Sequence, residues 1–210
     1  MAVQIIVDST ADFSAKEIEK RQITCIPMTV TFGNEQYIDG VDLTKEEFFV
    51  KLTNEKEFPK TSQPSPAKFA DCFEEAKENG DDVVAILVSG ALSGTVQSAT
   101  IAKDIAEHDG VYIVDSKSAT LGIRLLVDRA VRMRDQGKSA KEIAEALDEL
   151  KARVRLFAGL DTLEYLQKGG RISKTAASIG RLAGIKPIIT IDEEGKVAVC
   201  GKQRGNKNVF

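Results

Sequence analysis

Residues Val83 to Ala99 read VVAILVSGALSGTVQSA. Six unbroken apolar residues, Val83 to Val88, follow the polar run Gly80-Asp81-Asp82, the pattern of a short strand buried on both faces in a parallel sheet. The hydroxyl-rich turn Ser89-Gly90-Ala91-Leu92-Ser93-Gly94-Thr95 comes next. From Gly94 to about Glu107 the spacing turns helical, with Val96, Ala99, Ile101 and Ala102 on one face. This predicts Ser93 at the helix N-cap, where backbone N–H groups lack internal partners and the helix dipole favours an anion. A neutral cup of hydroxyls and amides suits a carboxylate or a phosphate. Serine is a favoured N-cap in any helix, so on this turn alone a structural cap accounts for Ser93.

Upstream, Val3 to Val7 predicts a strand ending at Asp8-Ser9-Thr10, and Ser14 to Arg21 a helix. Ile23 to Phe32 reads as one strand, with Pro27 marking an irregular or edge position. Gln36 to Ile38 pairs back after the turn Gly33-Asn34, and Thr44 caps a helix carrying Phe48, Phe49 and Leu52. Thr61 and Ser62 fall in a proline-stiffened loop. Ser65 and Pro66 then start a helix with Phe69, Cys72, Phe73 and Ala76 on one face. Downstream, Val111 to Val114 predicts a strand ending in Asp115-Ser116, followed by helices Ala119 to Gln136 and Ala140 to Arg153.

The expected fold is therefore α/β: residues 1–153 form a mainly parallel sheet flanked by helices. Three strands end in hydroxyl or acidic residues, on the side of such a sheet where ligands bind. Residues 154–210 begin a second α/β lobe. It comprises a strand from Arg155 to Leu160, a short helix from Thr162 to Gln167 stopped by Gly169-Gly170, then Arg171. A smooth apolar helix from Ser173 to Ala183 follows, and an antiparallel hairpin, Ile185 to Ile191 with Lys196 to Gly201, turning at Glu193-Glu194-Gly195.

Composition removes several function classes. The 210 residues carry a net charge of −3 with 29% charged residues, which gives no basic footprint for nucleic acid. No apolar run approaches a membrane span, the chain enters its first strand without a signal core, and the three cysteines have no metal or redox spacing. A cytoplasmic protein with reduced thiols is expected. The single histidine, His108, lies about 20 Å along the helix from Ser93 and reads as a solvated helix end. A Ser-His hydrolase is thereby excluded, and Gly90-Ala91-Leu92-Ser93-Gly94 is not a GxSxG elbow. Neither GxxxxGK[ST] nor GxGxxG occurs, and no cluster has metal-ligand spacing, so no metal and no cofactor are expected. Two readings remain: a binding protein whose polar cup lacks a base, and a phosphotransfer or hydrolytic enzyme using Asp8 or Ser93.

Five motifs occur in order: Asp8-Ser9-Thr10-Ala11-Asp12, Thr61-Ser62-Gln63-Pro64-Ser65, Ser89 to Ser98 (SGALSGTVQS), Asp115-Ser116-Lys117-Ser118, and Asp161 to Ser173 (DTLEYLQKGGRIS). Together they resemble the DegV family of bacterial fatty-acid-binding proteins. The resemblance implies a long-chain fatty acid such as palmitate held between two lobes, and a carrier, not an enzyme, that presents it to a separate kinase. Transient contact with a membrane surface is also implied. Thr61 and Ser93 match the family's carboxylate-holding hydroxyls, Ser62 and Gly94 flank them, and Arg171 is the nearby cation. Family members usually continue for several dozen residues, through a late His-Gly-Pro-Gly-like segment, so the second lobe is expected to be C-terminally truncated. Burying a long acyl chain at roughly 0.8 kcal/mol per CH₂ gains on the order of 10 kcal/mol before ordering costs. The tail thus supplies affinity and the head group orientation, with tunnel walls expected around Ala176, Ile179 and Leu182.

Overall fold

The computed structural model describes residues 2–55, 57–173 and 185–204. The first unit contains, in chain order, β1 (Val3–Asp8), α1 (Ala15–Arg21), β2 (Ile23–Ile26), β3 (Thr29–Phe32), β4 (Glu35–Ile38), α2 (Lys45–Asn54) and β5 (Lys60–Ser62). It continues with α3 (Pro66–Glu78), β6 (Asp82–Leu87), α4 (Thr95–Ala106), β7 (Val111–Asp115), α5 (Leu121–Asp135) and α6 (Ala140–Lys151). Beyond these lie β8 (Phe157–Gly159), α7 (Glu164–Lys168), β9 (Ile185–Ile191) and β10 (Val197–Arg204).

The central sheet runs β2-β1-β6-β7, with every pairing parallel. The pleat sends alternate residues of the apolar β6 run to opposite faces. Val84 and Ile86 pack with Ile5, Val7, Ile123, Leu126, Ile143 and Leu147 beneath α5 and α6. Val83, Ala85 and Leu87 pack with Ile6, Phe69, Phe73, Ala99 and Ala102 beneath α3 and α4. Both faces are covered, which is why β6 contains no polar alternation. Thr44 and Ser65 cap their helices as expected, and Ser14 and Ser139 cap two more. Ser14, Thr44 and Ser139 form capping boxes with Glu17, Glu47 and Glu142, and Ser65 caps α3 with Pro66 in the first turn.

Two features of the local reading are corrected. Ile23 to Phe32 is two strands in two sheets: β2 joins the parallel sheet, whereas β3 pairs antiparallel with β4 and β5. Pro27 lacks an N–H for either ladder, and the Met28 N–H donates instead to Ser9 Oγ at 3.1 Å. Thr61 and Ser62 lie in strand β5, with Thr61 opposite Val30, and not in a loop. The β4-β3-β5 sheet encloses its own small core of Val30, Phe32 and Leu43 under α2. The third sheet, β10-β9-β8, is antiparallel, and Leu163 and Ile172 are buried against its Ile189, Val197 and Val199. The expected helix from Ser173 to Ala183 falls almost wholly on residues 174–184, outside the described residues, with Ala176, Ile179 and Leu182.

Candidate functional site

The carboxyl ends of β1, β6 and β7 do converge, but their polar side chains are engaged mainly by nearby backbone groups. Asp8 is fully buried. Its Oδ1 accepts the Thr10 N–H and hydroxyl, and its Oδ2 accepts the Val88 N–H at 2.7 Å. Burial, the largest influence, pushes its carboxyl above the usual range despite these donors. The neighbouring Cys25 thiol is pushed up to about 12, by burial first and then by the charges of Asp8 and Asp39. Asp115 Oδ1 accepts from the N–H groups of Gly90 and Lys117, and Lys117 Nζ lies 3.1 Å from its Oδ2. Asp8 is thus a cross-link between two strand ends with no open face toward solvent, a geometry that does not favour attack on a ligand.

The more open polar corner lies at the start of α4. Gly94, not Ser93, is its N-cap residue, and no side chain caps the first turn. The Ser93 backbone N–H donates to Ser89 O at 3.1 Å, closing a turn, and Ser93 Oγ lies 2.9 Å from Thr95 Oγ1. The first turn of α4 thus has no side-chain acceptor at its cap, the kind of helix start whose polarity suits an anion. Chain leaving β5 reaches this corner through Gln63, whose Nε2 donates to Ser98 Oγ at 3.3 Å. A β-carbon on Gly94 would stand 2.4 Å from Gln63 Nε2, so the amide group lies directly over the glycine. Ser62 and Thr61 precede Gln63 on the exposed strand β5. From the second unit, exposed Arg171 donates through Nε to Leu92 O at 3.1 Å and through Nη1 to Gly169 O. A cation therefore stands beside the residue that precedes Ser93. The Phe58 ring also stacks on Tyr165 of α7 at 5.9 Å, joining the approach to β5 to the second unit.

The family model described as "Uncharacterised protein, DegV family" matches residues 2–210. The chain belongs to the DegV family. A DegV domain-containing protein from Caldanaerobacter subterraneus subsp. tengcongensis is 39% identical over 208 residues, 99% of this chain and 74% of that one. A stearic-acid-binding protein from Eubacterium ventriosum superposes with TM-score 0.88 at 36% identity, covering 99% of this chain and 72% of that one. The Streptococcus pneumoniae Fatty Acid Kinase B3 protein, solved loaded with linoleic acid, superposes with TM-score 0.85 at 28% identity, covering 98% and 74%.

Within this DegV chain, Gln63 lies over Gly94 and Arg171 reaches Leu92 O beside Ser93, while Thr61 and Ser62 sit on exposed β5, paired with Val30 and Thr29, on the strand that leads to Gln63. Ile101 is 43% exposed instead of packed with Ala99 and Ala102. His108 is a half-buried pin and not a solvated end: its Nδ1 accepts the Gly110 N–H, which leaves Nε2 to donate to Asp81 O at 2.8 Å. Gln63 was not anticipated as part of the corner; its place between Ser62 and the Pro64-Ser65-Pro66 helix start is the signal that marks it.

Among the described residues no group of His, Cys, Asp and Glu is placed to hold a metal, and no helix is long and apolar enough to cross a membrane. A depression of about 490 Å³ opens at the opposite, amino-terminal end of the sheet, lined by Val3, Gln4, Thr24, Arg134 and Lys138. It touches none of the corner residues.

Proposed function

We propose that this protein binds a long-chain fatty acid between its two units, with the carboxylate at the corner formed by Thr61, Ser93 and the uncapped first turn of α4. It acts as a carrier that presents the acid to a separate kinase and carries out no chemistry itself. The observation that carries the reading is the uncapped α4 start covered by Gln63 and flanked by Arg171. Hydroxyls, the amides of the helix start and one guanidinium form a recognition set for a carboxylate, with no general base within the corner. Structures close to this one in fold are described as binding stearic and linoleic acid, and one is described as a fatty acid kinase protein. The same reading places the protein in the cytoplasm, where activated acyl groups enter lipid synthesis.

Native mass spectrometry of the purified protein is the direct test. A co-purified acid of long acyl length, or its uptake from added palmitate at one per chain, is expected. Protein that stays ligand-free in excess palmitate would overturn the reading.

A further inference from the structure

The turn of the β9–β10 hairpin rests on the carboxyl ends of β6 and β7. Ser89 is fully buried, and its Oγ donates to Gly195 O at 2.8 Å. Gly195 has φ +82, and a β-carbon there would lie 2.1 Å from Ser89 Oγ and 3.1 Å from Lys117 Cδ. Only glycine meets both demands, the left-handed backbone and the close approach. The turn arrives preformed, because Asp192 Oδ1 accepts the N–H groups of Glu194 and Lys196 and Asp192 O accepts that of Gly195. The surface receiving it is equally fixed by the bonds from Asp115 to Gly90 and Lys117.

Ser89 also opens the loop that ends at Gly94. Its carbonyl accepts the N–H groups of Leu92 and Ser93, and its Oγ accepts that of Ala91 at 3.3 Å. Arg171 grips the same loop at Leu92 O. Six residues are therefore held by the second unit at two points, and Ser93 lies just beyond the second.

We infer that Ser89 and Gly195 are positioning residues for the head-group corner. The docked hairpin turn holds the Ser89–Gly94 loop in the arrangement that presents Ser93 and the α4 start, so carboxylate binding and hairpin docking strengthen each other. Such coupling is reciprocal by thermodynamic necessity. The identity of the ligand rests on the proposed function; the docking of the turn does not.

The test uses the full chain and the fluorescent acid cis-parinarate, with amide hydrogen exchange as a second measure. In Gly195→Ala, exchange at residues 90–94 of the ligand-free protein is expected to quicken while that of β6 stays unchanged. Parinarate release should accelerate about tenfold, the equivalent of about 1.4 kcal/mol. Ser89→Ala, which removes the hydroxyl without a clash, should move both measures in the same direction by less. In the wild type, bound parinarate should slow exchange at residues 194–196, and this protection should be lost in Gly195→Ala. Gly201→Ala is the control within the same hairpin, since a β-carbon there meets only Ile188 at an ordinary 3.5 Å. Unchanged exchange and release in both Gly195→Ala and Ser89→Ala would overturn the inference, as would ligand protection that survives Gly195→Ala. If the loop loosens in Gly195→Ala while wild-type protein ignores parinarate, the fatty-acid reading fails and the positioning of the loop stands.

Discussion

Asp8 joins β1 to β6 through two oxygens with different partners, and an amide in its place has only one acceptor. In Asp8→Asn the Nδ2 group must face one of the two backbone donors, leaving either the Val88 or the Thr10 N–H unpaired in a buried site. A loss of about 1–3 kcal/mol is expected in urea unfolding. The pH dependence has a definite sign. Asp8 in the native state holds its proton above the pH at which the unfolded chain releases it, so this group lowers stability as pH rises past about 4 toward its native value. Asp8→Asn should remove that slope. Glu17, held down to about 2 by the Ser14 N–H and by Arg124, and Glu142, held there by Lys138 and the Ser139 N–H, have the opposite sign. Their contribution is complete above the ordinary glutamate value and is lost as the pH falls toward about 2. At the proposed corner, Thr61→Ala with Ser93→Ala should weaken palmitate binding by about 1–3 kcal/mol, the scale of hydrogen bonds to a charged group, in a fluorescence titration. Unchanged affinity would place the head group elsewhere.

At the scale of elements, α3 is an amphipathic helix that buries Phe69, Ala70, Phe73 and Ala76 against the central sheet. Phe69 and Phe73 are fully covered and lie 6.0 Å apart, so Phe73→Ala should cost about 3–5 kcal/mol in thermal unfolding. The start of this helix was legible to the residue, because Ser65 and Pro66 agree with the 3.6-residue spacing of its apolar side chains; Cys72, expected on the buried face, is only half-buried. The alternation of strands and helices was equally plain, and the apolar run of β6 announced a strand covered on both sides. The split at Pro27 was not legible. A proline identifies an interruption, but which sheet each half joins depends on partners far away in the chain, β1 for one half and β4 and β5 for the other. Short β5 was hidden for the same reason: Lys60-Thr61-Ser62 has no apolar pattern and becomes a strand only because β3 offers an edge. The helix cap at α4 shifted by one residue, since Ser93 Oγ is drawn to Thr95 Oγ1 and leaves Gly94 as the cap. The corner's chemistry was readable as types of residue, whereas Gln63 entered through a contact between segments distant in sequence.

Across the whole molecule, the buried clusters divide cleanly by chain position. The three cores of the first unit draw their buried members from residues up to Leu147, with Leu150 and Val154 packed against them at the boundary, and the fourth draws its buried members Leu163 and Ile172 and its neighbours from Leu160 onward. We propose the division between units at 153/154 on that basis. A fragment of residues 1–153 is expected to unfold cooperatively on heating, with the parallel sheet protected from amide exchange; a fragment lacking a cooperative transition would refute the division. Because Arg171 and the hairpin turn at Gly195 come after that division, translation delivers the sheet well before the pieces that close over its strand ends. The nascent chain passes through a stage in which Ser89 meets water in place of Gly195. On the proposed site, lipid is therefore acquired only once synthesis has passed the hairpin, and a cell starved of fatty acid still makes a properly folded sheet. What scarcity removes is the extra stabilisation of the closed form, which grows with the logarithm of free ligand.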